Sequence, residues 1–118
     1  MREKQQMKPP SPDFDAAMRA IAHPLRREIL KWLKAPLVYF PQQDWKMEWG
    51  VSVGQITQRC GLSQSTVSQH LAVLKQVALV DVRKTGSFHF FQRNEATLGH
   101  LAARLRDQLG RGHQSGQV

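Results

Sequence analysis

Apolar residues recur at helical spacing in five stretches of the chain and alternate in one. Behind Asp13, whose carboxylate can cap a helix, Phe14, Met18 and Ile21 follow at intervals of four and three. His23-Pro24 interrupts that stripe, and Pro24 suits the first position of a second helix. There Leu25, Ile29, Leu30 and Leu33 turn inward while Arg26, Arg27, Lys31 and Lys34 cover the outside. Ser52 can cap a short helix, Val53 to Arg59, with Val53 and Ile56, or Val53 and Thr57, facing in. Gly61 can take the left-handed conformation that stops it, Leu62 can plug the gap between two helices, and Ser63 can cap the next. On an axis turning about 100° per residue, Val67, Leu71 and Leu74 fall on one side of that next helix. Ser65, Gln69 and Gln76 fall opposite, with Thr66 and Ser68 on the flanks. The pattern is a helix-turn-helix with an apolar back and a polar front.

After Val77-Ala78-Leu79 the period changes to two. Val80 to Arg83 and Ser87 to Gln92 read as paired strands around a Lys84-Thr85-Gly86 loop. In that register Val80 and Val82 share a face with Phe88 and Phe90, which leaves Arg83 and Lys84 outward and lets His89 join them. Asn94 then caps a last helix, Glu95 to Leu109, in which Leu98, Leu101, Leu105 and Leu109 form one seam. That seam is wider than one small core needs. With Phe14, Met18 and Ile21 it predicts a dimer interface.

The regular pattern breaks only over residues 35–51, APLVYFPQQDWKMEWGV, where four aromatics sit among prolines and a glycine. Two readings apply to this insert. It packs as a satellite cluster or subunit contact, or Tyr39, Phe40, Trp45 and Trp49 line a pocket for a small-molecule effector. Residues 1–12 read as a flexible basic arm, alternatively an ordered arm crossing DNA or a partner subunit. Residues 110–118 read as a disordered tail, so the folded unit is expected over 13–109.

Charge changes the picture more than size does. Seventeen Lys and Arg against nine Asp and Glu leave a net charge of +8, which favours a polyanionic partner. From residue 52 to 94 the bases Arg59, Lys75, Arg83, Lys84 and Arg93 face the single acid Asp81. A polar helix front beside a cationic hairpin suits a major groove about 12 Å wide, with the hairpin on backbone or minor groove. The 118 residues suffice for one domain. One cysteine cannot make an internal disulfide, and neither a secretion signal nor a membrane-length apolar run is present, so a soluble cytoplasmic protein is expected.

The order of elements resembles the ArsR-type family of bacterial winged-helix repressors. AIAHPLRREILKWL, Ala20 to Leu33, and GLSQSTVSQHLAVLKQVALVDVRKTG, Gly61 to Gly86, carry the likeness, which extends over most of residues 13–109. It implies a mainly α fold with a small β-hairpin, a winged helix-turn-helix of order α-α-α-α-β-β-α, dimeric. It also implies a homodimer on near-palindromic double-stranded DNA that blocks transcription until a signal releases it. Gln64, Ser65, Ser68, Gln69 and His70 then stand at the family's base-reading and phosphate positions, with Arg83 and Lys84 in the wing. Ser63 and Thr66 complete the expected DNA-binding set.

The departures from the family concern its signal. Metal-sensing members carry closely spaced cysteines near the helix before the turn, or acid and histidine ligands on the closing helix. Residues 52–59 hold no cysteine, and His100 and Asp107 are seven apart, so no metal and no cofactor are expected. His70, His89 and His100 lie on separate elements. Cys60 reads as a small half-buried hydrophobe, since a redox role needs an exposed thiol of lowered pKa with Arg59 beside it. No P-loop, nucleophile elbow or paired-carboxylate pattern points to an enzyme. The rival reading from another class is a winged-helix module that docks protein through the aromatic insert and leaves DNA alone.

Overall fold

A computed structural model of the chain describes residues 13–40 and 47–110. The basic arm, Trp45 and residues 111–118 lie outside the described residues. In chain order the elements are α1 (Phe14–Ile21), α2 (Pro24–Lys34), a one-turn α3 (Pro36–Tyr39), a 3-10 turn (Met47–Trp49), β1 (Val51–Ser52), α4 (Val53–Cys60), α5 (Gln64–Gln76), β2 (Val80–Thr85), β3 (Phe88–Arg93) and α6 (Glu95–Gln108).

Side-chain caps start the helices where the sequence places them. Asp13 Oδ1 accepts the Asp15 amide at 3.1 Å, Ser52 Oγ that of Gln55 at 3.2 Å, Ser63 Oγ that of Thr66 at 3.2 Å, and Asn94 Oδ1 that of Thr97 at 3.0 Å. Each bond satisfies an amide that has no partner within its helix and contributes about 1 kcal/mol. The cap of α2 is His23, whose Nδ1 accepts the Leu25 amide at 3.1 Å ahead of Pro24. Gly61 ends α4 at φ 69° and ψ 24°, the left-handed stop that its sequence position requires. Leu62 does not plug the gap beside it: at 45% exposure it points to solvent, because Ile56, Val67 and Leu71 already fill the interior there.

The core comprises Ile29, Leu30, Trp32 and Leu33 of α2, Ile56 of α4, Val67, Leu71 and Leu74 of α5, Val51, Leu79, Val80 and Phe91 of the sheet and its approach, and Leu101 of α6. In α1 the fully buried residues are Ala17 and Ala20, whereas Phe14, Met18 and Ile21 are half-buried on the flank. Small side chains let α1 lie close over the core and leave the larger ones at its edge. α5 ends with the Leu79 amide bonded to the Leu74 carbonyl at 3.0 Å around Ala78, which sits at φ 63°.

The sheet differs from expectation in two ways. It has three strands, in order β1-β3-β2 and all antiparallel, because Val51, the last residue of the insert, and Ser52 pair with Phe91 and Phe90. The hairpin register is also offset from the expected one. The strands run to Thr85 and from Phe88, leaving a two-residue Gly86-Ser87 connection, and Val82 stands opposite Phe91 while Arg83 stands opposite Phe90. Directly paired residues share a face. Val80 and Val82 therefore share theirs with Phe91 rather than with Phe88 and Phe90. Arg83 and Lys84, adjacent on one strand, consequently point to opposite faces.

At the far end of β3, Arg93 ties three elements together. Its Nε and Nη2 donate to Glu95 at 3.0 and 2.9 Å, and its Nη1 donates to the Leu30 carbonyl at 3.3 Å. Among the described residues no helix is long and apolar enough to cross a membrane.

Candidate nucleic-acid interface

α4 packs against α5, and α5 against β2, so that the helix-turn-helix and the hairpin form one surface. Val67, Leu71 and Leu74 anchor α5 in the core, and this leaves Ser63, Gln64, Ser65, Ser68 and Gln69 exposed along its front. Thr66 is half-buried, its hydroxyl accepting from Ser63 Oγ at 2.9 Å.

Between this front and the hairpin runs a groove of about 350 Å³. Gln64, Ser68, Lys75, Lys84, Ser87 and His89 line its polar side, and Val53, Leu71, Ala72, Val82 and Phe91 its floor. The lining contains two lysines and no acid. Lys75, Ser87 and His89 are not in the DNA-binding set expected from the sequence, where Lys75 counts only as one of the local bases and His89 only as able to join Arg83 and Lys84. Lys75 is two turns beyond the helix front, and the other two enter the groove only through the two-residue turn, whose position the alternation alone did not fix.

Two of the sequence-selected residues are held elsewhere. His70 lies toward α2: its Nδ1 accepts from Arg26 Nε at 3.0 Å, and its ring meets that of His23 at 4.5 Å between centroids, tilted 60°. Desolvation, and then the nearby His23 and Arg26, push the His70 imidazole below its ordinary value of 6.5. Arg83 lies on the outer face of the hairpin, over the ring of Trp49 at 4.4 Å.

Cationic charge on the surface is also less evenly available than the sequence suggests. Arg59 donates to the Tyr39 carbonyl at 3.0 Å and covers Trp32 at 4.9 Å and Tyr39 at 5.0 Å, while Arg93 is bound to Glu95 and Leu30.

The aromatic insert does not form one pocket from its described members. Phe40 is buried against Trp32, edge-on at 6.3 Å, and Tyr39 sits beneath Arg59. Trp49 instead packs edge-on against Phe90 of β3 at 5.5 Å. The two groups have different partners because α3 returns Phe40 to the core, whereas the 3-10 turn delivers Trp49 to the sheet. Cys60 ends α4 half-buried, and burial pushes its thiol up from its ordinary pKa. Its neighbour Arg59 is turned to the aromatics, so neither condition for an activated thiolate is met. Among the described residues no three His, Cys, Asp or Glu side chains are grouped to hold a metal ion.

A capped three-residue turn between two helices, a polar helix front and a hairpin across a cationic groove together define a winged helix-turn-helix DNA-binding fold. Comparison with known proteins places it more narrowly. Residues 48–83 match a family model described as a helix-turn-helix domain. The uncharacterized HTH-type transcriptional regulator YbzH of Bacillus subtilis is 34% identical over 93 residues, covering 77% of this chain and 93% of that protein. An ArsR family transcriptional regulator of known structure superposes with a TM-score of 0.63 at 15% identity, over 92% of this chain and 93% of its own. The homodimeric winged helix-turn-helix DNA-binding domain of Mb0332 from Mycobacterium bovis, a possible ArsR-family regulator, gives 0.58 at 21% identity, over 89% and 87%. The chain belongs to the family of HTH-type transcriptional regulators, and its fold is the winged helix-turn-helix shared with these ArsR-family structures.

Proposed function

We propose that this regulator is a homodimeric repressor that binds a near-palindromic operator and leaves it in response to a signal other than a thiolate-bound metal ion. The observation that carries the DNA half of the reading is the groove in which Gln64 and Ser68 of α5 face Lys84 and His89 of the wing without an intervening acid. Lys75 and Lys84 supply phosphate neutralisation beside the recognition helix, and Gln64, Ser65, Ser68 and Gln69 supply base contacts.

Dimerisation is supported by the half-buried Phe14, Met18 and Ile21 of α1, which lies against α6, and by Leu109, which remains 77% exposed. It is supported as well by the homodimeric state of the Mycobacterium bovis domain. Two copies would set their recognition helices in successive major grooves about 34 Å apart. The chain has one cysteine, which argues against a thiolate cage as the sensor.

A mobility-shift assay on the DNA upstream of the protein's own gene tests the reading. Retardation that weakens with salt but persists on that fragment at salt concentrations that release random duplex is the expected result; equal retention of all duplexes contradicts sequence-specific repression. A protein-docking module remains the second reading because Leu37 and Val38 of α3 are 69% and 70% exposed. That module would show no retardation at any salt concentration.

A further inference from the structure

His23, Arg26 and His70 form a cluster that no part of the DNA-facing surface uses. His23 precedes α2, Arg26 lies in its first turn and His70 lies midway along α5. Arg26 donates in two directions, from Nε to His70 Nδ1 at 3.0 Å and from Nη1 to the Ala20 carbonyl at 3.3 Å. One guanidinium therefore links the end of α1, the start of α2 and the recognition helix. His23 closes the same junction from its other side, capping α2 through Nδ1 and meeting the His70 ring at a tilt of 60°.

The protonation state follows from the bonds. Nδ1 of His70 and Nδ1 of His23 both act as acceptors, so in this arrangement neither Nδ1 carries a proton. A proton on His70 Nδ1 would face the Arg26 guanidinium with no lone pair to offer, and a proton on His23 Nδ1 would uncap α2. Among the described residues the charged or titratable groups acting on His70 are His23 and Arg26, neither a carboxylate that would stabilise an imidazolium.

We propose that His23 and Arg26 are positioning residues for sequence reading: through His70 they hold the recognition helix at a fixed angle to α2, and only while His70 Nδ1 keeps the lone pair that accepts from Arg26. The inference rests on α5 being the element that reads DNA. It makes affinity for a specific site proton-linked, highest above the ordinary imidazole range and falling below it, because the cluster must give up its bonds to accept a proton. His89 lines the groove beside Lys75 and Lys84 and lies outside this cluster.

His70→Asn isolates the cluster: asparagine offers an acceptor oxygen close to the Nδ1 position, does not titrate, and leaves His89 and His23 in place. Fluorescence anisotropy with a selected duplex between about pH 8 and 5 should show wild-type affinity falling relative to His70→Asn, by up to about tenfold per pH unit, the limit for one proton. Parallel profiles, or a wild type that gains on the variant as pH falls, overturn the proposal. Without DNA, NMR of labelled histidine rings should show His70 titrating below its ordinary range in wild type and moving up in Arg26→Met; an unchanged His70 titration also overturns it. If wild type binds no duplex at any pH, the DNA reading fails and the positioning role with it, whereas binding with parallel profiles removes the positioning role alone.

Discussion

The guanidinium carbon of Arg83 rests 4.4 Å from the centre of the Trp49 ring, on the face of the hairpin opposite the one that carries Lys84. The wing's two cations are thus in different settings. Lys84 borders the groove beside the recognition helix, and Arg83 spans wing and insert through a cation–π contact.

Replacing Lys84 by alanine should weaken binding to all duplex sequences alike and reduce the slope of log affinity against log salt by about 0.9, the loss of one phosphate contact. Arg83→Ala should reduce the slope no more than Lys84→Ala does and should in addition change tryptophan emission in the free protein. Salt titrations of both variants check the ranking, and a larger effect from Arg83→Ala would place the DNA backbone on the outer face of the hairpin.

Gln69 is exposed on the front of α5, on the side opposite Val67, Leu71 and Leu74. Gln69→Ala should relax preference at one base-pair position per half-site, costing about 1–3 kcal/mol on the best sequence and little on random DNA. Competition binding with single-position operator variants measures this directly.

Gly50 is fixed by close approach as well as by conformation. It sits at φ 110°, and a Cβ there would lie 2.3 Å from the Phe91 carbonyl oxygen. Gly50→Ala should cost at least about 1–3 kcal/mol, the usual range for a strained backbone, because β1 would have to leave β3. A urea midpoint unchanged from wild type would show that this edge pairing is not maintained.

The Glu95 carboxyl is held below its ordinary value of 4.5, first by its hydrogen bonds from Arg93 and further by the charges of Arg93 and Lys34, against a smaller opposing effect of burial. A carboxyl so lowered adds stability above the ordinary value, and that stability is lost as pH falls through the folded-state value. Glu95→Gln should accordingly lower the urea midpoint at neutral pH and lose that difference below the carboxylate range. A difference that persists in acid would mean the bonds matter through geometry alone.

Much of this architecture was legible in the residues. Asp13, Ser52, Ser63 and Asn94 mark helix starts because a capping oxygen and its amide are only two or three residues apart, and Gly61 marks a helix end for an equally local reason. Val67, Leu71 and Leu74 gave the orientation of α5 through period alone. What escaped was set by distant partners. Val51 becomes a strand residue only because Phe91 is there to pair with it. The turn falls at Gly86-Ser87 rather than at Lys84-Thr85-Gly86, which moves Phe91 onto the face of Val82. His70 looked like a front residue until Arg26, 44 positions earlier, was seen to hold it. Tyr39 and Trp49 are near in sequence yet go to different clusters, which spacing cannot reveal.

The dimer reading has its own test. Ile21→Glu or Leu105→Glu, each on the half-buried flank of α1 or α6, should yield monomers in sedimentation experiments while folding is retained. Variants that remain dimeric would move the interface elsewhere.

The central claim is that two copies of the α5 front read DNA at matched separation. Selection of bound fragments from random DNA by the purified full chain addresses it most directly. The expected outcome is an enriched near-palindrome with half-site centres about 10 base pairs, or a multiple of that, apart; enrichment of a lone half-site, or of no sequence at all, would contradict it.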